Sequence, residues 1–411
     1  MEVRELRERF GTPLYVYDEA TLRKQAQTAL AFPAPFGLTV RYAMKALPTA
    51  AILQLFDRCG LHFDASSGFE VERLFAAGIS AEKISLSSQE LPKNFPDLVR
   101  AGISINACSL DQLERFGSAF PGSPIGIRFN PGLGSGHSNR TNVGGPGSSF
   151  GIWHEKADKV REIAEKHQLE IVRIHTHIGS GTDPAVWAHV AELNLTVLRQ
   201  FPSVSVLNMG GGYKVGRMSG ESSTDLLPIG QKLAEGLEKL ASETGRKIKV
   251  EIEPGTLLVA NAGAIVSTIQ DLVDTGANGH TFLKLDTGMT EILRPSLYGA
   301  QHPLIVIPSN DSNTSETAEY LVVGHCCESG DILTPAPDAP EVLHPRTFQK
   351  AAIGDLLVIE GAGAYCSAMP AKNYNSFPEA PEILRRSDGS FDLIRKRQTL
   401  AQMIANEVPL A

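Results

Sequence analysis

Short β-branched runs alternate with amphipathic segments between residues 38 and 255, and no other feature limits the possible folds as strongly. Parallel strands need crossover connections, so this alternation predicts an α/β architecture. The predicted strands are Leu38–Lys45, His62–Ala65, Lys83–Ser87, Ser104–Cys108, Pro124–Asn130, Ile171–Ile178, Ser205–Met209 and Lys247–Glu253. The predicted helices include Phe69–Ala77, Asp111–Phe120, Glu155–His167, Val186–Phe201 and Leu226–Thr244. Eight units of about 27 residues favour a (β/α)8 TIM-like barrel over a doubly wound open sheet.

Beyond Gly263 the pattern changes to strands joined by loops rich in Pro, Gly and Asn, without regular crossover helices. These strands are Ala264–Val273, Thr281–Leu285, Leu304–Pro308, Glu319–Val323 and Leu356–Glu360. They predict a second, mainly β domain at the C-terminal end, and Pro13–Tyr17 is its natural first strand. The predicted organisation is an N-terminal segment (1–34) that contributes to the β domain, a barrel (35–262) and the mainly β domain (263–411).

Composition excludes several classes of partner. A net charge of −8 without any basic block argues against a nucleic acid or an anionic membrane. No run approaches the roughly 20 apolar residues of a membrane span, and the charged residues 1–9 lack the apolar core of a signal peptide. The five cysteines are odd in number and lack zinc spacing, which fits a reducing compartment. These observations predict a cytoplasmic protein.

Lys45 ends the first predicted strand, after an apolar run that includes Tyr42 and Met44. An amine buried among such neighbours loses hydration, which lowers its pKa and makes it a nucleophile able to form a Schiff base. The alternative is an ordinary lysine whose stem lies along apolar surface while its charge stays in water. The other strand ends help to choose between these interpretations.

Three further features lie at predicted strand ends. His175 and His177 share one face of their strand, but no third ligand is evident, so the sequence predicts no metal site. Gly210–Gly212 follow the seventh strand, where barrels commonly hold phosphate, although most glycine runs are only flexible turns. Glu253 ends the eighth strand beside Pro254, and its carboxylate either faces the barrel mouth or forms a cap or an ion pair.

Together these groups match the requirements of one cofactor, pyridoxal 5'-phosphate. A lysine forms its Schiff base, glycines hold its phosphate, and an imidazole can stack on its ring. A carboxylate keeps the pyridine nitrogen protonated, so that the ring accepts electrons from a carbanion at Cα. The combination predicts an enzyme that acts on a small amino acid.

Six ordered motifs resemble the fold-type III pyridoxal-phosphate decarboxylases, and the similarity covers nearly the whole chain. The motifs are Tyr42–Ala46, His177–Ser180, Gly210–Gly212, Glu253–Gly255, Cys327–Asp331 and Gly363–Tyr365. Within this group the chain is most similar to the diaminopimelate decarboxylases. The supporting stretches are Arg128–Gly132, Gly151–Trp153, Leu293–Ala300, Asn373–Asn375 and Leu393–Thr399.

The resemblance implies a role for each matching residue near the cofactor. Lys45 would carry the Schiff base, with Asp64 close to it, and His177 would stack on the ring. Glu253 would pair with the pyridine nitrogen. The residues expected near the phosphate are Ser180, Gly210, Gly211, Gly212 and Tyr365, and Gly255 is a further expected cofactor contact.

The resemblance also implies substrate contacts and a partner. Arg294, Tyr298, Glu328 and Tyr365 would hold the substrate, and an arginine can clamp a carboxylate through two parallel hydrogen bonds. Cys327 would return a proton to the carbanion after carbon dioxide leaves. The family works as a homodimer with shared active sites, and Cys327 would reach the site of the neighbouring subunit. The alternative for Cys327 is a buried apolar cysteine.

One position departs from the family pattern. The family usually has arginine after Glu-Pro-Gly, where this chain has Thr256. The loss removes a charge-assisted contact to the phosphate and to a substrate carboxylate, a type of contact worth roughly 1.5–3 kcal/mol. We hypothesise that Lys214 or Arg217, which follow the phosphate glycines, restores the charge.

The function implied by the resemblance is decarboxylation of meso-2,6-diaminopimelate to L-lysine and carbon dioxide, a step of lysine biosynthesis. Thr256 keeps open a second function, decarboxylation of a different or carrier-linked amino acid in a specialised pathway. A racemase or a non-decarboxylating cofactor protein is less favoured, because neither needs the segment around Cys327. The Gly/Ser/Asn-rich stretch Gly132–Ser149 is long for a βα connection, and loops of this length are usually functional or mobile.

Overall fold

A computed structural model describes residues 2–134, 143–179, 181, 183–309 and 315–410. The chain divides into two compact units. The barrel unit consists of Arg23–Val215 and Ser222–Leu258, and the β unit of Met1–Leu22, Gly216–Glu221 and Val259–Ala411. Residues 23–34, which the sequence grouped with the N-terminal segment, therefore lie with the barrel unit. The short segment 216–221 lies with the β unit, although the chain on both sides of it belongs to the barrel unit.

Eight parallel strands close into a barrel, as the sequence predicted. The strands are Leu38–Ala43, His62–Ala65, Ile84–Leu86, Ser104–Ala107, Pro124–Asn130, Glu170–Thr176, Val206–Asn208 and Lys249–Ile252. Closure occurs where the eighth strand pairs with the first, Val250 opposite Leu38. A short ninth strand, Ile152–Trp153, pairs with the end of the fifth. The barrel, rather than the open sheet, is confirmed.

Helices follow each barrel strand. They are Ala50–Arg58, Gly68–Ala76, Phe95–Arg100, Leu110–Ala119, Ala157–His167, Pro184–Gln200, Leu226–Thr244 and Thr256–Val259. Polar side chains fix several N-termini: Ser67 Oγ accepts from Glu70 N at 3.1 Å, and Ser109 Oγ accepts from Gln112 N at 3.1 Å. Such caps satisfy amides that have no partner within the helix. At the other end, Gly245 adopts the left-handed conformation (φ 76°) that stops the longest of these helices.

A buried ionic cluster occupies the interior of the barrel. Glu251 Oε1 lies 2.8 Å from Arg41 Nη2, and Glu251 Oε2 lies 3.0 Å from Arg173 Nε. All three side chains are less than a tenth exposed. Burial opposes ionisation of Glu251, but the two guanidinium groups outweigh it and lower the pKa of this carboxyl. The cluster joins the first, sixth and eighth strands.

The β unit is built around a nine-stranded mixed sheet with a separate two-stranded ribbon. Its strands are Leu14–Asp18, Gly263–Asp274, Thr281–Leu285, Leu304–Ile307, Thr317–Val323, Arg346–Gln349, Leu356–Ile359, Glu382–Arg385 and Phe391–Arg395, and the ribbon is Pro335–Ala336 with Ala339–Leu343. Its helices are Glu2–Phe10, Arg294–Tyr298 and Leu400–Met403. The strand Leu14–Asp18 pairs antiparallel with Gly263–Asp274 and parallel with Glu382–Arg385. The N-terminal strand of the second domain is thereby confirmed.

A compact apolar cluster holds this N-terminal strand in the β unit. Leu6 and Leu14 pack with Val266, Ile383 and other fully buried side chains. Burial of each such side chain contributes about 1.5–3 kcal/mol.

Within the described ranges, no helix has the length and apolar character needed to cross a membrane.

We expect Glu251→Ala to lower the free energy of unfolding by about 3–5 kcal/mol, because it leaves Arg41 and Arg173 buried without a counter-charge. Glu243→Ala is the matched control, since this carboxylate pairs with Arg199 at 2.8 Å on an exposed helix surface. That pair contributes less than about 1 kcal/mol. Urea unfolding of both variants measures the difference, and equal losses would contradict the structural importance of the buried cluster.

Candidate active site at the barrel mouth

The predicted cofactor residues of the barrel unit lie at or after the carboxyl ends of the parallel strands. Asp64 lies near the end of the second strand and His177 directly follows the sixth. Glu253 directly follows the eighth, and Gly210–Gly212 follow the seventh. Because the strands run parallel, these ends meet at one mouth of the barrel, where barrel enzymes place their chemistry.

Lys45 is exposed, so the premise that its amine is buried is wrong. The first strand ends at Ala43, earlier than predicted, and Lys45 lies in a one-turn 3-10 helix, Met44–Ala46. Met44 and Ala46 are fully buried, whereas the lysine between them faces solvent. Its suitability as an attachment point therefore rests on its place at the strand end rather than on desolvation.

Glu253 is buried and held by two polar neighbours. Its Oε1 accepts a hydrogen bond from Asn208 Nδ2 at 2.6 Å, and its Oε2 lies 3.1 Å from His175 Nε2. Burial opposes ionisation, but the nearby His175 and the hydrogen bond from the Asn208 amide outweigh it and hold the pKa of Glu253 well below its usual range. The structure thus keeps a carboxylate anion in the barrel mouth.

His175 and Asn208 are residues that the sequence reasoning did not assign to this role. Both are fully buried, and they lie directly opposite each other on the sixth and seventh strands. A usable signal was present, because His175 precedes His177 by two positions and faces the same way along the strand. The spacing of the two histidines does not show which carboxylate His175 contacts.

Asp64 and Glu253 are driven to opposite protonation states. Burial, together with the charge of Glu253, raises the pKa of Asp64 well above its ordinary value, and the Lys45 amine only partly opposes this rise. Glu253 is thus favoured as the anion, whereas Asp64 is shifted toward its protonated form. Such divergence between two neighbouring acids is typical of catalytic sites.

The glycine run has no space for side chains. Gly210 (φ +68°) and Gly212 (φ +100°) adopt conformations that L side chains rarely take. A Cβ on Gly211 would lie 2.2 Å from the Glu253 carbonyl oxygen. Gly210 N donates to Asn208 Oδ1 at 2.8 Å, which ties the turn to the strand before it. The run is a constrained turn against the eighth strand rather than a flexible connection.

His177 is neutral at this site. Its Nδ1 accepts a hydrogen bond from Gly211 N at 3.1 Å, so the proton of the neutral ring is on Nε2. Burial, with Arg128 and Lys45 nearby, lowers the pKa of His177 well below its ordinary value. A neutral imidazole offers a flat face without adding positive charge.

The structure supplies the third potential metal ligand that the sequence reasoning did not find. Donor atoms of His175, His177 and Glu253 lie within 4.8 Å of one another. These side chains are bound to protein groups: Glu253 to Asn208 and His175, and His177 to Gly211. Glu253 and His177 thus already have hydrogen-bond partners within the protein.

The other predicted residues belong to the β unit or lie outside the described part. Cys327 is exposed, which excludes the buried apolar cysteine, and its backbone N donates to Asn375 Oδ1 at 2.8 Å. Glu328 Oε1 accepts from Gly330 N at 3.1 Å. Arg294 and Tyr298 begin and end one short helix. Ser180 lies outside the described residues.

Tyr365 has an unusual backbone conformation, and Thr256 lies at the start of a helix. Tyr365 has a φ of +56°, a left-handed conformation that costs a non-glycine residue about 1–3 kcal/mol and occurs often at functional sites. Thr256 begins the short helix Thr256–Val259 after the eighth strand. Of the two cations that could replace its missing charge, Lys214 lies in the barrel unit and Arg217 in the β unit.

Comparisons with known proteins agree with this arrangement. The family model for the pyridoxal-binding domain of pyridoxal-dependent decarboxylases matches residues 19–260. The chain belongs to the pyridoxal-dependent decarboxylases. It is 36% identical to the diaminopimelate decarboxylase of Streptomyces coelicolor, covering 97% of this chain and 90% of the relative. It is 32% identical to that of Escherichia coli K12, covering 97% and 94%.

Solved structures of relatives share the fold of this decarboxylase. One crystal structure of a diaminopimelate decarboxylase superposes with a TM-score of 0.91 at 32% identity, covering 98% of this chain and 95% of the other. The enzyme from Helicobacter pylori, complexed with L-lysine, gives a TM-score of 0.84 at 26% identity and covers 98% of each chain.

The barrel mouth of this decarboxylase fits pyridoxal phosphate. Glu253 is an anion suited to a pyridinium N–H, and His177 is a neutral flat ring. The turn Gly210–Gly212 carries no side chains that would keep an anion away from its backbone amides, and Gly210 and Gly212 have positive φ angles that favour glycine. Lys45 presents an exposed amine at the end of the first strand. No residue of this set conflicts with the cofactor.

We expect Gly211→Ala to weaken pyridoxal-phosphate binding at least about tenfold, because the new methyl displaces the turn from the Glu253 carbonyl oxygen. Overpacking of this kind costs about 1–3 kcal/mol. Gly147→Ala is the control, since nothing lies within 4 Å of a Cβ built there. Absorbance titration with the cofactor gives both affinities, and unchanged binding in Gly211→Ala would contradict the close approach.

Proposed function

We propose that this enzyme decarboxylates meso-2,6-diaminopimelate to L-lysine and carbon dioxide. The observation that carries the proposal is an exposed Lys45 and an ionised, buried Glu253 at one barrel mouth. Relatives named diaminopimelate decarboxylase that are 30–36% identical align with nearly the whole of this chain, which supports this substrate.

Residues of the barrel mouth would hold the cofactor and place its reactive atoms. Lys45 would attach it covalently, with Asp64 nearby, and His177 would lie against its ring. Glu253 would keep a proton at the pyridine nitrogen. When bound, pyridoxal phosphate accepts the electron pair left at Cα as the carboxylate departs. Groups expected near the phosphate are Ser180, Gly210, Gly211, Gly212 and Tyr365, and Gly255 would be a further cofactor contact.

Residues of the β unit would hold the substrate and move a proton. Arg294, Tyr298, Glu328 and Tyr365 would contact the substrate, with Arg294 as a clamp for a carboxylate. Cys327 would give its thiol proton to Cα after carbon dioxide leaves, and its exposure supports this use. We propose a homodimer in which Cys327 serves the site of the partner subunit, and a cytoplasmic location.

A different or carrier-linked amino acid is the second candidate substrate. Thr256 favours it, because no cation follows Glu-Pro-Gly in this chain. Retention of Arg294, Tyr298 and Glu328 favours diaminopimelate.

The purified enzyme is supplied with pyridoxal phosphate and tested with meso-diaminopimelate, L-lysine, L-ornithine and L-arginine, with carbon dioxide release as the measurement. We expect release from diaminopimelate alone and its loss in Lys45→Ala. Lys93→Ala, which removes another exposed lysine of the barrel unit, should remain active. If carbon dioxide is released only from another amino acid, that amino acid is the substrate and the diaminopimelate proposal is wrong. If Lys45→Ala keeps full activity, Lys45 is not the attachment point of the cofactor.

We expect Cys327→Ala to slow product formation about 10²–10⁴-fold, the usual contribution of a positioned proton donor. Cys326→Ala is the control, because burial raises the pKa of that neighbouring thiol to about 12 and Asp331 adds to this rise. In deuterated water the wild type should place one deuterium at the product Cα with a single configuration. Equal rates and configuration in Cys327→Ala would exclude this role.

Mixed dimers test whether the sites are shared. Neither Lys45→Ala nor Cys327→Ala should be active alone, but subunit exchange should restore about a quarter of wild-type activity, because half of the dimers then contain one complete site. Failure to complement under conditions that exchange subunits would assign both residues to the same subunit.

A further inference from the structure

Arg217 is held in the β unit by its own short segment, Gly216–Glu221. Glu221 Oε2 accepts the backbone amides of Arg217 and Met218 at 2.8 and 3.1 Å. Asn261 Nδ2 donates to the Gly216 carbonyl oxygen at 3.1 Å. Hydrogen bonds to the backbone on both sides of Arg217 therefore hold this segment in place, independently of the contacts of the Arg217 side chain.

The guanidinium of Arg217 is only partly satisfied. Its Nε donates to the Gly361 carbonyl oxygen at 2.9 Å. The side-chain stem lies so close to Gly361 that a Cβ there would approach Arg217 Cδ to 2.9 Å. In contrast, Arg217 Nη2 is completely buried and has no hydrogen-bond partner within the described ranges. A buried donor without an acceptor is costly, so its retention indicates a missing acceptor.

Arg294 is oriented through His302, which is bound to the backbone of Glu360, the residue before Gly361. Its Nη1 donates to His302 Nε2 at 2.7 Å, and His302 Nδ1 donates to the Glu360 carbonyl oxygen at 2.9 Å. Burial, with Arg294 and Arg217 nearby, lowers the pKa of His302 well below its ordinary value, so its Nε2 is free to accept. Because Glu360 and Gly361 are consecutive, both arginines are anchored to one stretch of backbone.

Among the residues that the structure describes, neither arginine of this pair forms an ion pair with a carboxylate, although the charge of Glu221 acts on Arg217. The Arg217 guanidinium donates to a backbone carbonyl oxygen, and the Arg294 guanidinium donates to a neutral imidazole. Burial and the proximity of Arg294 lower the pKa of Arg217 to about 9. Both arginine charges also act on the buried thiol of Cys366, where they partly oppose the rise in pKa that burial causes. Two adjacent guanidinium groups with an open donor are suited to a planar anion such as a carboxylate.

We propose that Arg217 and Arg294 together bind one carboxylate of the substrate, and that Arg217 supplies the cation that Thr256 lacks. This inference rests on the proposed function, because diaminopimelate retains one carboxylate that does not react. The product L-lysine keeps that carboxylate, whereas 1,5-diaminopentane has none. Arg217 is thus a specificity residue that selects the carboxylated end of the molecule.

The test uses the cofactor-loaded enzyme and its Arg217→Ala, Arg217→Lys and Lys214→Ala variants. We expect Arg217→Ala to raise KM for meso-diaminopimelate about 10- to 100-fold, the effect of losing one charge-assisted contact, with a smaller change in kcat. Arg217→Lys should recover part of the loss, because it keeps the charge but not the planar fork. Lys214→Ala should behave as wild type.

Calorimetry with L-lysine and 1,5-diaminopentane separates recognition of the carboxylate from a structural role. We expect Arg217→Ala to weaken L-lysine binding about 10- to 100-fold and to leave diamine binding unchanged. Arg397→Ala is the matched control, since this arginine of the β unit also donates to a backbone carbonyl, that of Pro13, at 2.9 Å. It should not alter the ratio of the two affinities.

The outcomes are distinguishable. Equal weakening of both ligands, wild-type affinity in Arg217→Ala, or a selective loss in Lys214→Ala instead would overturn the inference. If the wild type releases no carbon dioxide from diaminopimelate, the proposed function fails, while selective loss of L-lysine binding in Arg217→Ala still supports the carboxylate site. Absence of L-lysine binding to the wild type would overturn the inference as well.

Discussion

Asn208 joins the ionic interior of the barrel to its mouth, and the rest of the site depends on this one side chain. Its Nδ2 donates to Glu251 Oε2 at 3.2 Å and to Glu253 Oε1 at 2.6 Å. Its Oδ1 accepts from Gly210 N at 2.8 Å. One amide thus connects the buried cluster, the carboxylate at the mouth and the glycine turn. Displacement of any of these groups leaves a buried polar atom unpaired, which makes the arrangement cooperative.

The ionised state of Glu253 follows from this network. A buried carboxylate is stable as an anion only when hydrogen bonds and opposite charges replace its hydration. Asn208 and His175 provide that replacement, and the resulting negative charge pushes the neighbouring Asp64 toward its protonated form. The same field accommodates a protonated pyridine nitrogen, so the electrostatics of the protein's own residues suit an electron-accepting cofactor.

Much of the fold could be predicted because it depends on local patterns. Alternating β-branched and amphipathic segments predicted the eight strands, and the loss of that alternation after Gly263 predicted the second domain. Lys45 lies two residues beyond the end of the first strand rather than at its last position, and the prediction that its amine is buried is wrong. A run of apolar neighbours does not show that a one-turn helix will leave the middle residue in solvent.

The sequence by itself determined the order of the elements and the residue types at each strand end, because hydrophobic period and turn residues act over short distances. Only the tertiary structure decided which of these residues meet. His175 reaches Glu253, and Asn208 reaches both Glu251 and Glu253, because barrel closure brings strands distant in sequence side by side. The pairing of Arg217 with Arg294 likewise depends on a six-residue segment that joins the β unit, a placement that no periodicity encodes.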